Sequence, residues 1–110
     1  MSHEPELKEQ DAQGHHFVIV TFKTNEDNQQ RAILEIGDYV AEFLSRQPGF
    51  IRSSLFASND AHSLVHQAEW VNESAFQAAG TLARKHPDLP KLMVFEPKGI
   101  GYQLSRTFQG

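Results

Sequence analysis

The run FVIVTF at residues 17–22 carries β-branched and aromatic side chains at odd and even positions alike. Successive side chains of an extended strand point to opposite faces, so both faces of this strand are apolar and both need a cover. With 110 residues the chain has room for one core. A single domain supplies one cover, and the other must come from elsewhere. Composition agrees with a folded domain: 39% of residues are hydrophobic, 22% are charged and eight are Phe. Residues 1–15 mix Glu, Lys, Gln and Asp with almost no large apolar side chains, and read as a disordered polar tail ahead of a domain at 16–110. His15 and His16, adjacent on an extended chain, point to opposite sides and read as a strand entrance.

The remaining elements follow from periodicity. Asn25 or Asp27 can cap a helix, Asp27 with Gln30 gives a capping-box pattern, and Ile33, Ile36, Val40, Phe43 and Leu44 recur at helical spacing, predicting a helix over 27–46. Pro48-Gly49 stops it, and FIRSSLFAS at 50–58 reads as a second strand, with Phe50 and Phe56 facing one way and Ile51 and Leu55 the other. A turn at Asn59-Asp60 leads to a third strand, SLVHQAEWV. Asn72 is placed to cap a second helix carrying Phe76, Ala79 and Ala83 on one face and ending at His86-Pro87. PDLP reads as a loop, LMVFE as either helix or extended chain, and IGYQLSRTF at 100–108 as a last strand that the Gly99 and Gly101 pair enters by a loop or bulge. The order β-α-β-β-α-β is that of ferredoxin-like α+β domains, an antiparallel sheet with both helices on one face. The other face is then bare and apolar, which predicts a homodimer packed sheet against sheet.

QPGF (47–50), SND (58–60) and EWVNESAF (69–76) resemble the antibiotic biosynthesis monooxygenase (ABM) family, over roughly residues 16–108. The resemblance implies a dimeric α+β barrel. It also implies oxidation of electron-rich aromatics such as anthrones and quinols by O2 without metal or flavin, although related branches degrade haem. In such oxygenases the strand Trp, here Trp70, lines a pocket, and the position four residues earlier, often Asn, orients the substrate. Here that position is His66. The Tyr that takes part in proton transfer near the start of helix two is replaced by Phe76. The haem-degrading branch combines an Asn on strand one, a Trp inside helix two and a His beyond it; only His86 matches, so haem degradation is not expected.

The chemistry asks for a base and a group to hold an anion. A phenolate gives an electron to O2 far more readily than a phenol does, and a neutral imidazole titrating near pH 6.5 can take the proton, which assigns His66 as the catalytic candidate. Trp70 and Phe76 are candidate ring contacts. Arg106, on the Ile100, Tyr102, Leu104 face of the last strand, and Arg52, on the Phe50, Phe56 face of the second, are placed to stabilise negative charge or to serve as strand-end or inter-subunit charges. Tyr102 is placed to donate its hydroxyl or to form barrel wall.

Other classes recede. The chain has no Cys, which excludes disulfides and thiolate metal sites and fits a reducing compartment, the cytoplasm. No apolar run approaches the roughly 20 residues of a membrane span, and MSHEPELKEQDAQG has neither the basic nor the apolar region of a signal peptide. A net charge of -4 with no Lys/Arg cluster argues against nucleic acid. No Ser-His-Asp spacing, Gly-rich phosphate loop or HExxH is present. His62 and His66, four apart on a strand, are about 13 Å apart, too far for one ion. No metal and no cofactor are expected. Two readings remain: a cofactor-independent oxygenase of a planar phenol, quinol or polyketide-like substrate, and a non-catalytic barrel that binds a small hydrophobic ligand or regulates a partner.

Overall fold

A computed structural model describes residues 14–110. The predicted polar tail lies outside the described residues as far as position 13. Four strands, β1 (His16–Lys23), β2 (Phe50–Ala57), β3 (Ser63–Trp70) and β4 (Lys98–Gln103), form one antiparallel sheet in the order β2-β3-β1-β4. Helices α1 (Gln29–Glu42), α2 (Glu73–Ala83) and the short α3 (Leu89–Met93) complete the ferredoxin-like α+β fold. No helix among the described residues is long and apolar enough to cross a membrane.

Local chemistry explains the boundaries. The Asn72 side chain accepts a hydrogen bond from the Ala75 amide at 2.8 Å and starts α2 as its sequence position predicts. At α1 the Asp27–Gln30 capping box does not form. Asn25 Oδ1 instead accepts from the amides of Asp27 and Asn28, while Asn28 Oδ1 accepts from the Asn25 amide, and this reciprocal pair shapes the entry turn. The helix ends at Glu42 rather than 46, because the backbone leaves helical geometry at Phe43 and tightens into a 3-10 turn over Leu44–Arg46. Gly49 follows with φ at +87°, and a Cβ there would lie 2.5 Å from that of Ala75, so only glycine lets this turn touch α2.

Two segments correct the sequence expectation near the C-terminus. PDLP is not all loop: Leu89-Pro90 opens α3, where proline's missing N–H is harmless, and this resolves LMVFE as helical up to Met93. The last strand covers Lys98–Gln103 and not 100–108; Gly99 and Gly101 lie within it, paired with Val20 and Val18 of β1.

Register sorts every side chain to one of two faces. On the helix side, successive rows across β2, β3, β1 and β4 read Leu55, His66, Val20, Gly99; then Ser53, Ala68, Val18, Gly101; then Phe50, Trp70, His16, Gln103. On the open side Arg52, Glu69, Phe17 and Tyr102 form one row. A bulge between Phe50 and Arg52 inserts one residue, so Phe50 and Phe56 point to opposite faces and not to the same one. Two apolar clusters pack on the helix side. One holds Phe22, Ile36, Leu64 and Phe95, and the other holds Val18, Ala68, Trp70 and Ala79.

Candidate functional site

His66 lies at the seam between these clusters: its face neighbours on β3 are Leu64 in one and Ala68 in the other. The side chain is buried at 5% exposure, and its Nε2 has no hydrogen-bond partner among the described residues. Burial pushes its pKa below the usual imidazole value, because a charged ring is poorly solvated there, so the ring is neutral at pH 7. Trp70, four residues on and on the same face, is fully buried with Nε1 likewise unpartnered. A buried polar group without a partner costs about 1–3 kcal/mol, and native structures hold few of them.

Rings close one end of the site. Trp70 stands edge-on to Phe50 at 5.3 Å and to Phe76 of α2 at 5.8 Å, while the His16 ring lies 5.4 Å from Phe76. Val20, in the middle of a central strand and on the helix side, is only half-buried, and its neighbour on β4 is Gly99, which has no side chain. A cleft of about 360 Å³, between the Gln47–Gly49 turn and α2, has walls such as Pro48, Val71 and Leu82 and contains no ionisable side chain, so it offers no chemistry.

Of the six predicted site residues, Trp70 and Phe76 are in ring contact, His66 lies on the same face of β3 four residues from Trp70, and the other three lie elsewhere. Arg52 is on the open face because of the bulge, where its Nη1 donates to Glu69 Oε1 at 2.6 Å. Tyr102 is also on the open face, paired with Phe17. Arg106 lies beyond the end of β4, its guanidinium 4.7 Å above the Phe108 ring. His62 belongs to the exposed loop before β3, and no group of three or more His, Asp or Glu among the described residues could hold a metal ion. His86 packs against Phe43 and Tyr39 at 4.6 and 5.1 Å and accepts a hydrogen bond from the Asp88 amide, away from the site.

Sequence reasoning missed His16 and Glu69. Parity alone puts His16 on the face of Val18 and Val20, but which face receives the helices depends on register. Glu69 is buried on the open side with both oxygens engaged, one by Arg52 and the other by His15 Nδ1 at 2.6 Å.

The four-stranded antiparallel sheet with its helices and the ring cluster around Trp70 define a ferredoxin-like α+β domain. The chain belongs to the antibiotic biosynthesis monooxygenase family, whose model matches residues 15–82. Among solved structures it is similar to a variant of SnoaB, a cofactor-independent oxygenase from Streptomyces nogalater, with a TM-score of 0.77 at 21% identity, covering 88% of this chain and 99% of that one. It is also similar to the monooxygenase ActVA-Orf6 of Streptomyces coelicolor in complex with nanaomycin D, with a TM-score of 0.76 at 20% identity, covering 92% of this chain and 96% of that one. Identities this low establish the fold alone. No curated protein matches the chain.

Proposed function

We propose that this protein is a cofactor-independent monooxygenase that oxidises a small phenol, quinol or polyketide-like aromatic with O2. The observation that carries the reading is the buried, unpartnered Nε2 of His66, which a bound aromatic oxygen would satisfy. Neutral His66 takes the proton of the substrate hydroxyl or activated C–H, and the imidazolium so formed pairs with the anion it has created. No arginine is needed for that role, in keeping with Arg52 and Arg106 lying elsewhere. The anion supplies electrons to O2, and a C–O bond forms. His66 then returns its proton as the O–O bond breaks, so that one oxygen stays on carbon as a carbonyl and the other leaves as water with the two hydrogens that the substrate loses, both from a CH2 group or one from carbon and one from the hydroxyl. Trp70 and Phe76 hold the ring system.

The working form is a homodimer joined through the open sheet face. Phe56, Ile100 and Tyr102 are roughly half-exposed there, at 54%, 47% and 45%, an apolar area large enough to need a cover. A monomer by sedimentation at micromolar concentration overturns this part. Phe76 has no hydroxyl to move a proton, which favours the alternative of a non-catalytic barrel binding a small hydrophobic ligand. Oxygen uptake with a panel of anthrones and quinols separates the two: consumption lost in His66→Ala supports the oxygenase, and no uptake with any compound leaves the binder.

A further inference from the structure

Beyond Gln103 the chain leaves the sheet as an arm, and residues 105–110 are all exposed. Phe108 on this arm is 75% exposed, more than any other large apolar side chain among the described residues, even with Arg106 stacked on its ring. One ring in water needs no explanation by itself. What makes it informative is a matching hollow elsewhere on the surface. The cleft of about 360 Å³ between the Gln47–Gly49 turn and α2 exists because Ala75, Ala78 and Ala79 are small, and Val71 and Leu82 stand at it roughly half-exposed. An apolar cavity of roughly 150 Å³ accepts benzene, so this cleft has room for a phenyl ring and the chain that carries it. Residues 1–13 are poor candidates to fill it, since Met1 and Leu7 are their only large apolar side chains among four acidic ones.

Register brings the arm and the cleft to the same end of the sheet. Gln103 shares a row with His16, Trp70 and Phe50, so the arm departs where Gly49 enters β2 and Val71 leaves β3. Within one copy, the way from Gln103 to the cleft is obstructed by the start of α2, where Phe76 packs on His16 and Trp70. A second copy offers an open path. Sheets packed face to face lie about 10 Å apart with their strands nearly aligned. If the two-fold axis runs along the strands, β4 of each copy lies over β2 of the other with their ends level. The five residues Leu104–Phe108 span about 16 Å when extended, enough to pass from that position around the β2 edge. Ile100 and Tyr102, exposed on the open face of β4, lead directly into the arm, which therefore continues the same interface around the sheet.

We infer that the C-terminal arm is exchanged between two copies of this chain, each inserting Phe108 into the cleft between the Gln47–Gly49 turn and α2 of the other. The inference rests on the reading of the protein as a homodimer joined through the open sheet face. The chain has no Cys, so introduced thiols report unambiguously. The test is oxidation of the full chain carrying Ala78→Cys in the cleft and Gln109→Cys beside the intact Phe108, followed by non-reducing electrophoresis. A covalent dimer is expected from the double variant and from neither single variant. Sedimentation equilibrium of Phe108→Ser gives an independent readout: the substituted ring is in water within one copy, so the fold is kept, and the dimer is expected to dissociate at least tenfold more readily. An intrachain disulfide overturns the exchange by placing the arm on its own cleft. Absence of any disulfide, with a dimer as tight in Phe108→Ser as in the unmodified chain, overturns the arm contact and leaves the open-face dimer standing. An unmodified chain that sediments as a monomer overturns both.

Discussion

The two faces of one sheet treat buried polar atoms in opposite ways. On the open side Glu69 is as inaccessible as any core residue, yet both of its oxygens are held, by Arg52 and by His15. On the helix side His66 and Trp70 are equally buried, and neither His66 Nε2 nor Trp70 Nε1 has a partner. A buried charge that is paired belongs to the architecture; a buried donor or acceptor left idle calls for an explanation, which the proposed ligand supplies. The comparison separates structural from functional polarity without any reference to relatives.

The sharpest attempt to break it concerns turnover. His66→Ala should reduce oxygen uptake by about 10²–10⁴-fold, or roughly 3–5 kcal/mol of barrier, whereas Glu69→Gln should leave the rate per folded molecule unchanged. Equal losses in the two would erase the distinction. For stability the largest effect belongs to Trp70→Ala, expected to cost about 3–5 kcal/mol in urea denaturation, because its edge-on contacts with Phe50 and Phe76 leave a cavity that rigid neighbours cannot fill.

The most direct contrast is a matched pair of substitutions. Glu69→Ala should cost about 1.5–3 kcal/mol through two lost charge-assisted hydrogen bonds, while His66→Leu should be neutral or stabilising, since it removes an unsatisfied nitrogen. A His66→Leu protein that melts several degrees lower would mean that Nε2 is already satisfied. A pH series sharpens the same point. The folded pKa of His66 is depressed, so the unfolded chain protonates first; stability is full above about pH 6.5 and falls as pH drops from there toward the folded pKa. Urea midpoints between pH 7.5 and 5 should show that slope, and His66→Gln should flatten it. Smallest of all, Arg52→Ala should cost no more than about 1 kcal/mol, because the arginine side chain is 74% exposed and water replaces much of what it gains from Glu69.

Much of the architecture is legible in the sequence because it is written in periodicity and punctuation. FVIVTF, the Asn72 cap, Gly49 and the alternation of SLVHQAEW each have a local physical reason, and together they give the strand order. What escapes is anything decided between strands. The bulge at Ile51 has no local signature, and it moves Arg52 away from Phe50's face. Tyr102 has the expected alternation, but only register with Phe17 reveals that it faces away from the helices. Residues 104–108 alternate as a strand would, yet β4 ends at Gln103, and Arg106 lies beyond it against Phe108. Asp27 loses the helix start to Asn25 because two amides within reach of one side-chain oxygen outweigh a capping-box match. His66 is found from sequence since its chemistry stands out among apolar neighbours, whereas His16 is overlooked because the glycine its ring covers, Gly101, lies on a different strand.

The extra residue near Ile51 decides who owns a benzene ring. Removing it restores regular pleating, which rotates Phe50 outward and takes away the edge-on support beneath the indole. A chain shortened by that one amino acid would keep its topology, loosen the packing around the indole, and offer an additional greasy knob to any companion molecule pressing on the outside.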